Sequence, residues 1–323
     1  MKTITVDSNQ KLNFTEQEQP SINTDECLIQ VKAIGVNRAD LLQRAGKYPA
    51  PPGESPILGL EVSGDIVACG KDVHRWQVND KVFALVAGGG YAEYVKVKAT
   101  QLLSLPQSFS YQQGAATAEV FLTAYQSLFT IANLQSKQSV LIHAGASGVG
   151  TAAIQLAKAK QCYVVVTVGS DEKAKACLAL GADVAINYHH QDFVAWSTEH
   201  HKKGFDIIVD VVAGNYLNKN IQVAALDAHI VILSLLGGRF SDNVDIAKLL
   251  MKRLTFTAST LRNRDHQYKA MLVKQFATDF YHQLVEGKIK PVIDSEFLWQ
   301  QADQAHQKMG NNENIGKLVL TLP

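Results

Sequence analysis

Up to about residue 115 the apolar positions fall in short runs, at 3–6, 11–14, 27–34, 62–68, 82–85, 91–97 and 102–105, each bounded by turn residues. Such runs predict strands. One helix interrupts them over 38–45, entered from Asn37 and stopped by Gly46. Tyr48-Pro49-Ala50-Pro51-Pro52-Gly53 tolerates neither helix nor central strand and predicts an extended loop. Ala87-Gly88-Gly89-Gly90 predicts a tight turn or a close approach of backbones. From Gly114 the period lengthens. A helix over 120–134 is followed by β-like runs at 140–142, 163–168, 184–187, 205–212, 230–235 and 254–258, with helical segments between. Six strands alternating with helices is the pattern of a doubly wound parallel sheet. A long helix over about 265–286 then leads into a strand–helix–strand tail. The chain therefore predicts an α/β fold, with a nucleotide-type domain at 118–262 set between two parts, 1–117 and 263–323, of a β-rich domain.

The stretch from Ser139 to Tyr188 narrows this to chemistry. Val140-Leu141-Ile142 reads as a strand buried on both faces, and it runs into Gly145-Ala146-Ser147-Gly148-Val149-Gly150 and then a helical pattern through Ile154 and Leu156. Strand, glycine turn, helix and second strand make a dinucleotide-binding unit. Glycine lets backbone approach a pyrophosphate, and the helix N-terminus presents free N–H groups and a positive dipole end. Ser147 stands where the usual G-x-G-x-x-G has its second glycine; it is small and brings a hydroxyl. Ser234, Leu235 and Gly237 fall at the C-terminal end of a later predicted strand, where open α/β sheets bind ligands.

Composition adds exclusions. With a net charge of +1 and no long basic cluster, neither nucleic acid nor an anionic membrane is the expected partner. No run approaches the ~18 apolar residues of a membrane span, and residues 1–7 lack a signal-peptide core, so a cytoplasmic protein is expected. The four cysteines (27, 69, 162, 177) are scattered with no C-x-x-C pair and read as packing residues.

Several long motifs in order then resemble one family: A-I-G-V-N-R-A-D at 33–40, P-I-L-G-L-E-V-S-G at 56–64, N-D-K-V at 79–82 and the glycine run at 141–150. These resemble the medium-chain dehydrogenase/reductase superfamily. N-R-A-D-L-x-Q-R-x-G-x-Y at 37–48, H-A-G-x-S-G-V-G at 143–150, R-x-R-D at 262–265 and the closing Asn314-Ile315-Gly316-Lys317 resemble its quinone oxidoreductase branch. The resemblance implies a GroES-like β-barrel domain, a Rossmann domain, an active-site cleft between them, and a homodimer. It also implies NADPH as cofactor and a quinone or enone as substrate.

The zinc-dependent branch of that superfamily places a cysteine where this chain has Asn37, and G-H-E where this chain has Gly59-Leu60-Glu61. A catalytic zinc takes about three protein ligands. The closely spaced cysteines of a structural zinc lobe are missing too, so a zinc-free enzyme is expected, with Glu61 left without assigned chemistry. The resemblance implies Asn37 and Tyr48 on the substrate side, Thr123 near the nicotinamide carboxamide and Asn314 as a cofactor contact. An NAD-specific site carries a carboxylate at the end of its second strand. Here Val168-Gly169-Ser170 ends that strand, and Ser170, Lys173 and Tyr188 match the 2′-phosphate pocket of the branch. Two other readings share the scaffold: an enoyl thioester reductase, and a non-enzymatic protein that binds NADPH or RNA.

Overall fold

The computed structural model describes all residues, 1–323. The chain opens with β1 (Lys2–Val6), β2 (Leu12–Glu16), β3 (Glu26–Val36), α1 (Arg38–Arg44), β4 (Glu61–Cys69), β5 (Lys81–Leu85), β6 (Tyr94–Lys98), β7 (Leu102–Ser104), α2 (Tyr111–Ala115) and α3 (Ala118–Tyr125). Next come β8 (Ser139–His143), α4 (Gly148–Ala159), β9 (Tyr163–Val168), α5 (Asp171–Ala179), β10 (Val184–Asn187), α6 (Phe193–His200), β11 (Phe205–Asp210), α7 (Tyr216–Val223), β12 (Ala224–Ile232), α8 (Ile246–Lys252) and β13 (Thr255–Ala258). It closes with α9 (His266–Val285), β14 (Ile293–Leu298), α10 (Ala302–Gly310) and β15 (Lys317–Thr321).

Two compact units result, Met1–Leu122 with Leu261–Pro323, and Thr123–Thr260. In the first, seven strands run in the order β14-β15-β3-β4-β5-β7 with β6 also on β3, and β1 and β2 form a separate ribbon. β3 is the longest strand and pairs with β4, β6 and β15. Its alternate apolar residues close on Val62, Ile66, Leu318 and Leu320 in one core. The second unit is a sheet in the order β10-β9-β8-β11-β12-β13, every pair parallel. Its central strands are buried on both faces, which is why they read as unbroken Val/Ile runs. Together they are the GroES-like and Rossmann-like architectures that the sequence predicts. No helix is long and apolar enough to cross a membrane.

Three elements differ from the sequence expectation. β12 begins at Ala224 and ends at Ile232, so Ser234, Leu235 and Gly237 lie in the loop after it. Polar Asp227 and His229 hide the start of the strand, where the chain takes a positive φ at Asp227 and the β11 pairing shifts register. The helix expected to reach residue 134 changes to a π-turn after Tyr125 and ends at Ile131. There the Ser127 hydroxyl donates to the Thr123 carbonyl at 2.7 Å, a back-bond that bends helices. Strand β6 starts at Tyr94 and not at Tyr91, whose ring is fully buried.

Candidate functional site

In the Rossmann-like unit, β8 delivers the glycine run directly into α4. Ser147 is the N-cap, and its Oγ accepts the Gly150 N–H at 3.0 Å. The next helix-opening N–H groups, those of Gly148 and Val149, have no intrahelical acceptor and remain for a ligand. The Ser147 O–H proton stays available as well, because the hydroxyl is used here only as acceptor. The turn is tight: a Cβ at Gly150 would lie 2.5 Å from the carbonyl oxygens of both Ala144 and Gly145. Backbone N–H groups, a small hydroxyl and a cradle that a Cβ would fill are what a pyrophosphate requires. At the end of β9, Ser170 caps α5 through the Lys173 N–H at 3.2 Å. Tyr188, half exposed, follows β10 with its hydroxyl against Gly169. The acidic Asp171 nearby accepts from the Asn187 side chain at 2.7 Å, which holds it at the strand end.

Beneath this turn runs a polar chain that the sequence reading missed. His143, the last residue of β8, is buried between Thr167 Oγ1 (2.9 Å) and Asn220 Oδ1 (2.8 Å). Asn220 in turn donates to Asp210 at 2.8 Å, and the other Asp210 oxygen accepts the N–H groups of Val212 and Ala213. Burial pushes the His143 pKa down, so the ring is a neutral spacer between acceptor and donor.

In the barrel-like unit the site residues converge on a buried ion pair. Lys317 opens β15, and its Nζ donates to Glu61 Oε1 at 2.7 Å, to Asn37 Oδ1 at 2.6 Å and to the Val36 carbonyl at 2.6 Å. That uses all three ammonium protons. Glu61 is 0% exposed; its Oε1 also accepts from Asn37 Nδ2 at 3.0 Å, and its Oε2 from the Glu119 N–H at 2.8 Å. Gly35 makes room for it, since a Cβ there would sit 2.4 Å from Glu61 Oε1. Both ends of the Asn37 amide are thus engaged within the cluster. Its backbone N–H is taken by Asp40 Oδ2 at 2.8 Å. Asp40 is fully buried, and burial raises its pKa to about 6 against the Asn37 and Gly59 N–H bonds that lower it. The chain continues through the Tyr91 hydroxyl, 3.4 Å from Asp40 and 2.8 Å from His306 Nε2. Burial holds His306 down at about 4.

Tyr48 sits on the extended loop, with the Arg262 guanidinium 5.3 Å over its ring. Arg262 is 5% exposed and also donates to the carbonyls of Tyr48 and Ala87 and to Gln43, so the R-x-R-D motif fixes this loop. Thr123 is buried on α3, and Asn314 spends its amide on the Gly316 carbonyl at 2.7 Å within the closing turn. Glu61, Lys317, Asp40, Tyr91 and His306 were not legible as a group. The one signal was Glu61 beside the motif glycine.

The family description "Zinc-binding dehydrogenase" matches residues 148–278, and "Alcohol dehydrogenase GroES-like domain" matches 23–107. The chain is 30% identical over 316 residues to the Danio rerio synaptic vesicle membrane protein VAT-1 homolog, covering 94% of this chain and 65% of that protein. It is 29% identical over 306 residues to the quinone oxidoreductase of Rattus norvegicus, covering 94% of this chain and 91% of that one. Among solved structures, a Pseudomonas syringae quinone oxidoreductase superposes with a TM-score of 0.87 at 28% identity, over 99% of each chain. A mycobacterial protein solved as a complex with NADPH superposes with 0.87 at 26% identity, again over 99% of each.

Proposed function

We propose that this chain, which belongs to the medium-chain dehydrogenase/reductase superfamily of oxidoreductases, uses NADPH and no zinc to reduce quinones or similarly electron-poor carbonyl acceptors. The observation that carries the reading is the Lys317–Glu61–Asn37 cluster. The one carboxylate kept from the zinc branch is saturated by an ammonium, a carboxamide and a backbone N–H, and neither Asn37 nor Lys317 is a zinc ligand. An acceptor reduced here has to be one that needs no Lewis acid, and quinones and enones qualify because added hydride gives a delocalised anion. Bound NADPH supplies that hydride.

The chain's own part is to bind and orient. Ser147 and the N–H groups of Gly148 and Val149 suit the pyrophosphate, with Gly145, Ala146 and Gly150 shaping the turn. Ser170, Lys173 and Tyr188 suit a 2′-phosphate, and the Asp171 carboxylate is engaged by the Asn187 side chain. We assign Ser234, Leu235, Gly237 and Asn314 to the remaining cofactor contacts, and Thr123 to the carboxamide. With Asn37 committed to the cluster, Tyr48 is the residue we assign to the substrate, its ring steadied by Arg262. We also assign a cytoplasmic location and a homodimer; the dimer accords with the unpaired edge of β13 and the exposed Ile246, Leu250 and Met251 of α8.

Steady-state kinetics with NADPH and NADH, across quinones and 2-enoyl thioesters, tests this. Expected is at least a tenfold preference for NADPH and for quinones, with Lys173→Ala losing most of the cofactor preference, because a charge-assisted bond to phosphate contributes roughly 1.5–3 kcal/mol. Equal specificity constants for the two cofactors, better turnover of thioesters, or one zinc per chain by elemental analysis would each overturn its part.

A further inference from the structure

Cys27 and Cys69 are 42 residues apart in sequence and read there as unrelated packing residues. The fold sets them opposite one another on antiparallel β3 and β4, with their sulfurs 3.8 Å apart. From this geometry we infer that Cys27 and Cys69 form a modification site, a dithiol that a hydroperoxide converts to a cross-strand disulfide. The inference does not depend on the proposed enzymatic activity.

The two thiols differ in the way such chemistry needs. Cys69 is the last residue of β4, partly exposed, and its thiol donates to the Trp76 carbonyl at 3.6 Å. Cys27 is 0% exposed and faces Cys69 from inside. Burial, with Cys69 next to it, pushes the Cys27 thiol up to about 12, and with no exposure to solvent it meets only its neighbour. Cys69 is therefore the sulfur that attacks the peroxide. Its sulfur bonds to the terminal peroxide oxygen, the O–O bond breaks, the thiol proton passes to the departing oxygen, and Cys69 sulfenic acid and an alcohol (water, from hydrogen peroxide) result. Cys27 sulfur then attacks the Cys69 sulfur. Hydroxide leaves, takes the Cys27 proton and departs as water. Two electrons have passed from the thiol pair to the peroxide.

Closure asks little of the backbone. A disulfide needs an S–S distance of about 2.05 Å, so the sulfurs must approach by a little under 2 Å. Facing antiparallel residues already stand at about 4.5–5.5 Å between Cβ atoms, near what a bridge spans. The β3–β4 register shifts between Leu28 and Ile29, immediately beside Cys27, and Cys69 ends its strand, so both sides can adjust. Cys162 and Cys177 offer an internal control. Both are buried, and Cys162 sulfur lies against the carbonyls of Gln135 and Lys160 and not against a thiol.

The test uses the full chain, folded, treated with hydrogen peroxide and then with an alkylating reagent under denaturing conditions. Alkylatable thiols are expected to fall from four to two, with peptides containing residues 27 and 69 joined at 2 Da below their summed mass, and separated again by dithiothreitol. The bridge should raise Tm by several degrees, since it closes a long loop of the unfolded chain. In Cys27→Ala, Cys69 should instead accumulate as a sulfenic acid captured by dimedone. Four thiols retained, loss spread equally over all four, or Cys69 carried to sulfinic acid in the parent chain without a bridge would each overturn the inference.

Discussion

Glu61 and Asp210 are both fully buried carboxylates, one in each unit, and they are kept in different ways. Glu61 faces an ammonium, Lys317, with Asn37 and one backbone N–H completing its bonds. Asp210 faces no cation at hydrogen-bond distance; the Asn220 amide and the N–H groups of Val212 and Ala213 hold it, at 2.7–2.9 Å. The first arrangement joins four distant segments of the barrel-like unit, at 36–37, 61, 119 and 317, and each member is hostage to the others. The second lies within one stretch of the chain, from the end of β11 to α7, and spreads its compensation over neutral dipoles. The largest test follows directly. Lys317→Met strands a buried charge and should destabilise by about 3–5 kcal/mol, whereas Asn220→Ala removes one neutral donor and should cost about 1–3 kcal/mol. Denaturant unfolding of the two variants measures both, and the double variant Glu61→Gln/Lys317→Met should recover much of the loss. Equal costs for Lys317→Met and Asn220→Ala would remove the distinction.

Asp40 is a third buried carboxylate and sharpens the comparison, because the Tyr91 hydroxyl links it to a second titrating group, His306. Its pKa rises from 3.8 to about 6 on folding, so the native state holds more protons than the unfolded one between those values, and this contribution falls as pH rises through the window. His306 goes from 6.5 to about 4, so the native state holds fewer protons between about 4 and 6.5, and this contribution grows as pH rises. Each difference corresponds to about 3 kcal/mol at 1.36 kcal/mol per unit. The two contributions oppose and largely offset each other from pH 4 to 6. Asp40→Asn should expose the His306 slope, with stability climbing toward neutral pH, and His306→Gln the reverse. Thermal or denaturant unfolding across that range reads the sign, and parallel profiles for both variants would disprove the opposition.

What was legible in the sequence divides along the same line. The glycine turn, the Asn37 and Asp265 helix starts and the six-strand alternation are local patterns, and each is where the pattern puts it. The clusters are not local. Nothing near Lys317 in Lys317-Leu318-Val319-Leu320 points to its partners, and only pairing of β15 with β3 carries it to Val36 and Asn37. Glu61 was visible as a motif residue, but its partner stands 256 positions away, and no spacing rule reaches that far. The same holds for Asp40, Tyr91 and His306, and for Cys27 with Cys69. The bonds of Asn37 were hidden for a related reason: a polar residue in a motif says that an amide is present, not which partners its two ends take.

The nucleotide turn offers a smaller effect that should stay within its own unit. Gly150→Ala places a methyl 2.5 Å from two carbonyl oxygens, which must move and carry the α4 start with them. NADPH affinity by titration should fall at least tenfold, while unfolding of the barrel-like unit and the pH profile from Asp40 and His306 stay as in the parent. Unchanged affinity would mean that the turn is not the pyrophosphate site.

The smallest expected effect is at Tyr48. Its ring is held by Arg262, whose guanidinium also ties the loop to Ala87 and Gln43, so removing the hydroxyl alone should leave the loop in place. If that hydroxyl works on the acceptor, Tyr48→Phe lowers kcat for quinones and leaves NADPH binding intact. General acid catalysis is typically worth 100-fold or more. The reduction here should lose less, under about tenfold, since the hydroquinone monoanion left by hydride addition is protonated readily by water, in contrast to an acceptor that must be protonated as the hydride arrives. The loss should therefore be greater for weakly electrophilic enones than for quinones. Arg262→Met separates the two roles of the residue: it frees the loop while keeping the phenol, and should raise KM more than it lowers kcat. Equal kinetics for Tyr48→Phe and parent on both acceptor classes would reduce Tyr48 to packing and leave the substrate side to be found elsewhere.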